Sequence, residues 1–302
     1  ANLRRRRRGR GVGDGGRREA HVAAVHVHAA AGRVGEGARV EGDVGDATER
    51  QQRIGRLEHR PVVLDRAGVA RVRRREVGVR ELAITTNGIL LTRERATALM
   101  QSGLNRITVS LDAATGKRFG AMTGMPERGS FLLDRVMAGL KAARAAGFDP
   151  SCGALKLNSV IQRHVNDDQI IPLARLARRL GVELRLIEFM DVGNRNQWTL
   201  DQVLPAAQMV ERIHARWPLE PLGRKRGGTA RRWRYGDGAG TIGVIASISE
   251  PFCGDCNRLR VTADGQAFTC LFSAEGTDLK PALVSELQLE QAMRQLWQRR
   301  QD

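Results

Sequence analysis

The first 80 residues of this 302-residue chain contain no phenylalanine, tyrosine, tryptophan, methionine, cysteine, serine or lysine. A stretch such as "ANLRRRRRGRGVGDGGRREA" has neither the 3.6-residue apolar period of a helix nor the two-residue period of a strand. Lacking large apolar side chains, such a segment cannot bury enough area to offset the entropy of ordering it. Most of its residue types have codons beginning with G or C, as when GC-rich DNA is read out of frame. Residues 1–76 are therefore expected to be a disordered or frame-shifted segment without packed structure. The same residues also admit a basic arm for nucleic acid, or a metal site at "HVAAVHVH" (His21, His26, His28), but such patterns specify either function loosely.

Other absences narrow the class. No apolar run approaches the roughly 18 residues of a membrane-spanning helix. The N-terminal arginines are not followed by an apolar stretch, so no secretory signal is expected. Four cysteines at uneven spacing do not make a disulfide framework, and a reducing, cytoplasmic setting is expected. The net charge of +17 suggests a polyanionic partner, but residues 1–76 alone carry 19 Arg against 10 acidic residues. The rest of the chain carries only +8, so neither nucleic acid nor a membrane is the expected partner.

From about Val77 the pattern becomes regular. "ELAITTNGILL" reads as a strand, followed by a helix that Thr92 caps and Gly103 closes. "NRITVSLDA" is a second strand; Ser130 is expected to cap the helix carrying Leu133, Val136, Met137 and Leu140. "ALKLNSVI" is a third strand, followed by a helix with Leu173, Leu176, Ala177 and Leu180 on one face and Gly181 at its end. "ELRLIEFMD" is a fourth. Strand–helix alternation predicts a parallel sheet covered by helices, open or barrel-like, with ligands at the carboxyl ends of its strands. Those ends hold Thr85, Ser110, Asp112, Glu188 and Met190.

After Trp198 the pattern reads as α+β: a helix near 206–215, a strand at "TIGVIASIS" leading to the cysteines, and a polar helix after Leu279, so that an antiparallel C-terminal layer is expected beside four parallel strands. "RLRVTADGQAFTCLF" reads as a hairpin turning at Asp264-Gly265, and a two-residue loop would set Cys270 opposite Leu259. Cys253, Cys256 and Cys270 form a C-x2-C-x13-C set, a metal-ligand spacing that stops one short of a closed site. Cys152 stands apart in "PSCGAL" and is read as a buried or loop thiol. By default Lys156, Arg258 and Arg260 would be solvated and Met190 would be core.

"LAITTNGILL", "GLNRITVSLDA", "LKLNSVIQRHVNDDQIIPLARLARRLGVELRLIEFMDVGN" and "FCGDCNRLRVTADGQAFTCLFS" together resemble the GTP 3′,8-cyclases of molybdenum cofactor synthesis, lyases of the radical S-adenosylmethionine (SAM) superfamily. The resemblance covers about 77–302. It implies an incomplete (β/α)6 barrel over 77–198, its first two strands missing, and a C-terminal iron–sulfur and GTP-binding domain over 199–302. It further implies two 4Fe–4S clusters, SAM and GTP, in a monomer or homodimer. By this resemblance Cys253, Cys256 and Cys270 hold the C-terminal cluster and leave one iron open to GTP. Thr85, Lys156, Arg258, Leu259 and Arg260 meet GTP, and Ser110 and Met190 meet SAM.

Two family features are not in this sequence. The CxxxCxxC loop of the SAM-binding cluster has no counterpart, since no cysteine precedes Cys152, and the chain stops at "LWQRRQD" without a Gly-Gly tail. The expectation is a disabled cyclase by descent. Two other readings stay open: a basic zinc-ribbon protein that binds nucleic acid, with Cys152 or a histidine as fourth ligand, and a non-enzymatic remnant that binds a cluster or a nucleotide.

Overall fold

The computed structural model describes residues 81–192, 198–262 and 264–299. The expectations for residues 1–76 lie outside the described residues. In chain order the elements are β1 (Ala83–Thr86), α1 (Arg93–Gln101), β2 (Arg106–Ser110), α2 (Gly116–Met122), α3 (Gly129–Ala145), β3 (Leu155–Ile161), α4 (Ile170–Leu180), β4 (Glu183–Glu188), α5 (Ala206–His214), β5 (Leu219–Arg224), β6 (Arg231–Tyr235), β7 (Thr241–Ile245), β8 (Arg260–Val261), β9 (Gln266–Phe268), β10 (Thr277–Asp278) and α6 (Glu286–Gln298).

Seven strands form one sheet in the order β1-β2-β3-β4-β7-β6-β5, and β10-β9-β8 form a second. Strands β1 to β4 are parallel, as the strand–helix alternation predicts. One assignment is corrected. β7 is not part of a separate antiparallel layer; it pairs parallel with β4 and so becomes the fifth parallel strand, with β6 and β5 added antiparallel beyond it. Its Ile242 and Val244 are buried like Leu184 and Leu186, and burial reports a covered strand without saying which strand lies alongside.

Helix boundaries follow local chemistry with one exception. The Thr92 hydroxyl accepts from the Arg95 backbone N–H, and α4 ends on Gly181 in the left-handed conformation (φ 66°). Ser130 is not a cap: α3 begins at Gly129, one residue earlier. The reason is a close approach between helices. A Cβ on Gly129 would lie 2.1 Å from the Gly116 carbonyl oxygen and 2.7 Å from Gly120 Cα, so this corner accepts only glycine.

The two faces of the main sheet differ in chemistry. Ile107, Val109, Leu155, Leu157, Leu184, Leu186, Ile242 and Val244 alternate onto one face, buried against Val136, Leu140, Leu173, Ala177 and Met209 of the helices. Each large aliphatic side chain in this layer contributes about 1.5–3 kcal/mol by leaving water. The residues between them (Thr85, Thr108, Ser110, Lys156, Asn158, Glu183 and Arg185) take the opposite face, because successive side chains on a strand point to opposite sides. A polar sheet face backed by an apolar core is the frame of the site.

The second sheet corrects another expectation. Its hairpin pairs Arg260 with Phe268 and Val261 with Ala267, and Thr262 N–H donates to Gln266 O at 2.9 Å. The turn is one residue longer than the expected two, and Gly265 ends it at φ 83°, a conformation open to glycine. The register therefore runs Cys270 toward Arg258 rather than Leu259. The terminal helix α6 forms as expected, with the Ser285 hydroxyl accepting from Gln288 N–H. It is less polar than expected, with Leu287, Met293 and Trp297 exposed along it.

Candidate functional site

Strand register gathers the polar face into rows. Thr85 lies beside Thr108, Thr108 beside Lys156 and Lys156 beside Glu183. Ser110, Asn158 and Arg185 form the next row toward the carboxyl ends. Thr85, Lys156 and Ser110 thus share one face in adjacent rows. Met190 lies two residues past the end of β4 and is half-buried.

Lys156 is not solvated. It is 8% exposed, and its Nζ donates to Glu183 Oε1 at 3.2 Å. Glu183 is the hub of the face: Arg185 Nε donates to the same oxygen at 2.8 Å, and Arg232 Nε donates to Oε2 at 2.9 Å. Burial alone would raise the Glu183 carboxyl, but Arg185, Lys156 and Arg232 outweigh it and hold the pKa at about 2. Lys156 moves below its ordinary value, through burial first and then the nearby Arg185, with Glu183 restoring part of it. The region is cationic overall, so an anion approaching this face is attracted. One row up, Asn158 Oδ1 is buried and accepts no hydrogen bond from the described residues.

The strand ends named in the sequence hold structure together. The Asp112 carboxylate accepts from Val160 N–H at 2.8 Å, and burial pushes its pKa up. Glu188 has no exposed surface. Its carboxylate accepts from Ala206 N–H at 2.7 Å, Ile248 N–H at 2.7 Å, Ser249 N–H at 2.9 Å and the Ser249 hydroxyl. It thereby ties β4 to the start of α5 and to the segment that enters the cysteine loop.

That loop starts with a short turn, Cys253–Asp255, closed by Cys256 N–H donating to Cys253 O at 3.0 Å. Asp255 accepts from Arg224 at 2.8 Å and from Gly227 N–H at 2.9 Å, which fastens the loop to the β5–β6 turn. Arg258 lies over the Phe252 ring, 4.9 Å from its centroid, and donates to Gly227 O at 3.2 Å. Arg258 and Arg260, two residues apart in the sequence, do not lie on one strand, since β8 begins only at Arg260.

Arg260 is the informative residue. Its Nη1 is buried and has no hydrogen-bond partner among the described residues. Burial, then Arg258, lowers its pKa, and the neighbouring Cys256 and Cys270 draw part of it back up. Cys270 Sγ also accepts from Phe272 N–H at 3.4 Å. No disulfide joins any of the four cysteines.

The cysteines bear on which metal group fits. Among the described residues no three His, Cys, Asp or Glu side chains converge closely enough to hold one metal ion. A zinc ribbon needs four ligands on one ion. Cys152 instead lines a cavity beside Lys156, and the His214 ring nitrogen is occupied by Leu219 N–H. A four-iron cluster is a different case, because its thiolates bind separate irons and stand further apart. Three thiol donors and the N–H···S bond at Cys270 suit such a cluster. Sequence reasoning missed Glu183, Arg185 and Arg232 as one network, although the alternation in "VELRLIE" places the first two on one face.

Comparison with known proteins adds two family matches. The model of the radical SAM superfamily matches residues 57–177, and that of Molybdenum Cofactor Synthesis C matches residues 182–302. A GTP 3′,8-cyclase of Synechococcus sp. (strain CC9605) is 74% identical over 228 residues, covering 74% of this chain and 66% of the relative. A GTP 3′,8-cyclase of Synechococcus sp. (strain CC9902) is 59% identical over 234 residues, covering 76% and 68%. One of Xanthomonas campestris pv. campestris (strain B100) is 50% identical over 227 residues, covering 74% and 64%. The chain spans just under two thirds of the length of the first of these relatives.

Proposed function

The chain belongs to the GTP 3′,8-cyclase family of radical SAM proteins, and from that membership we propose that its polar sheet face and cysteine loop form the GTP-binding half of a cyclase site in molybdenum cofactor synthesis. The observation that carries this reading is Arg260, at the end of the cysteine loop, whose Nη1 is buried with no hydrogen-bond partner among the described residues. A buried N–H without an acceptor is costly, and an anionic oxygen of a bound nucleotide would satisfy it.

In this reading Cys253, Cys256 and Cys270 hold one 4Fe–4S cluster. With three protein ligands, such a cluster keeps one iron open as a Lewis acid and template for the nucleotide. Arg258 and Arg260 bind anionic oxygens through the guanidinium fork, with the Leu259 backbone between them. Lys156 contributes a point charge and Thr85 a hydroxyl in the same row. Ser110 and Met190, nearer the carboxyl ends, serve SAM. No cysteine precedes Cys152, so these residues provide no CxxxCxxC set for the SAM-cleaving cluster, and no step is routed through it. The chain by itself therefore binds GTP and one cluster without cleaving SAM. Among the described residues no helix is long and apolar enough to cross a membrane.

The test is anaerobic reconstitution with iron and sulfide, then iron analysis and, after dithionite reduction, chromatography for 5′-deoxyadenosine from SAM. About four irons per chain and no deoxyadenosine above the blank are expected, one 4Fe–4S cluster being the cysteines' capacity. About eight irons, or deoxyadenosine whose formation Cys253→Ala abolishes, would overturn the assignment.

A further inference from the structure

The helical side of the main sheet holds another cavity, of about 330 Å³, between α5 and strands β6 and β7. Strand pairing fixes its side. Arg231 lies opposite Val244 and Trp233 opposite Ile242, and directly paired residues share a face. Arg232, one residue on from Arg231, takes the other face and reaches Glu183. The cavity thus lies across the sheet from Thr85, Lys156 and Glu183. No residue proposed above for GTP, SAM or the cluster lines it.

The α5 side chains divide between core and cavity. Met209 and Ile213 fill the core. Ala207, Val210, Glu211 and His214, three or four residues apart, form a neighbouring stripe that lines the cavity. Ala206, Val244 and Ala246 keep the rest of the lining small and apolar, and Trp233 adds an indole. The charged groups do not balance. Arg231 and Glu250 satisfy each other at 2.8 Å. His214 accepts from Leu219 N–H through Nδ1 at 3.0 Å, so it adds no charge while that bond stands. Glu211 is exposed and makes no ion pair among the described residues. One carboxylate is therefore left uncompensated beside an apolar and aromatic lining. We propose that this cavity binds a small organic cation, an ammonium or guanidinium group on an apolar body, with Glu211 as its counter-ion. The indole attracts a cation as well, and the volume falls at the small end of the roughly 300–1,000 Å³ typical of ligand pockets.

The test uses the full chain, reconstituted anaerobically, and three probes of one shape: 2-phenylethylamine, 2-phenylethanol and 3-phenylpropanoate. Saturation-transfer NMR on the ring protons, followed by titration, gives each Kd. The amine should bind about threefold to fivefold tighter than the alcohol, the scale of an exposed ion pair, and the carboxylate should bind weakest. Glu211→Gln should remove the preference for the amine and leave the alcohol unchanged. Ala207→Leu places a larger side chain in the cavity from an exposed position, and should abolish binding of both with the melting temperature unchanged. GTP should not displace the amine. Equal binding of amine and alcohol by the parent chain, or no binding of either, would overturn the proposal. An amine preference that survives Glu211→Gln would remove Glu211 as the counter-ion. Displacement of the amine by GTP would put the amine on the polar face and overturn a separate site.

Discussion

Replacing Glu188 by alanine removes one carboxylate and strands three backbone N–H groups, those of Ala206, Ile248 and Ser249, together with the Ser249 hydroxyl. A buried donor left without an acceptor costs about 1–3 kcal/mol. The Ala206 N–H is buried and takes the full penalty; the other two are partly buried, and water relieves part of theirs. Pro205 precedes Ala206 and has no N–H, so the Glu188 carboxylate is also the anion at the start of α5. Together these place the loss at about 3–5 kcal/mol, a large share of a typical domain's stability. Glu188→Gln is the sharper test. It keeps size and one acceptor oxygen but turns an NH2 toward backbone donors, and should cost about 2 kcal/mol. Urea denaturation of the full chain reads both losses, and hydrogen exchange reads where they fall. Faster exchange should be concentrated at 206–209 and 246–256. A Gln variant within about 0.5 kcal/mol of the parent, with unchanged exchange in the cysteine loop, would refute this tie.

Three further outcomes are expected. Glu183 has a folded pKa of about 2 against an ordinary 4.5, so its stabilisation is complete above pH 4.5 and fades as pH falls toward 2. Its ceiling is about 3 kcal/mol, and Glu183→Gln should flatten the acid limb of a stability–pH curve; a parallel curve would refute this. Gly129→Ala should lower the melting temperature, because the added methyl meets the Gly116 carbonyl and must force α2 and α3 apart, at about 1–3 kcal/mol; an unchanged melting curve would contradict the packing. Cys270→Ser should leave far fewer irons per chain after reconstitution than the parent, and full loading would remove Cys270 from the ligand set.

Much of this fold was legible in the sequence where one residue type has one cheap conformation or position. Thr92 as a cap, Gly181 at a helix end and the Leu173–Ala177 stripe each follow from local chemistry. The misreadings involve non-local partners. Ser130 looked like a cap because nothing in the sequence shows that Gly129 must touch Gly116 and Gly120. β7 looked like part of another layer because an apolar strand does not name its neighbour. The hairpin register slipped by one because Gly265 supports a longer turn. At the site, the cysteine spacing was plain. The burial of Lys156 was not legible, because its partner Glu183 lies 27 residues away and meets it only through strand pairing.

The central claim is that Cys253, Cys256 and Cys270 hold a single four-iron cluster whose open position, with Arg260 beside it, takes GTP. The most direct measurement is the low-temperature electron paramagnetic resonance spectrum of the reconstituted, dithionite-reduced chain, recorded with and without GTP. One 4Fe–4S signal that GTP shifts is expected. The signal should persist in Arg260→Ala, with the shift weakened or lost. A signal indifferent to GTP in the parent chain, or no four-iron signal at all, would contradict the claim.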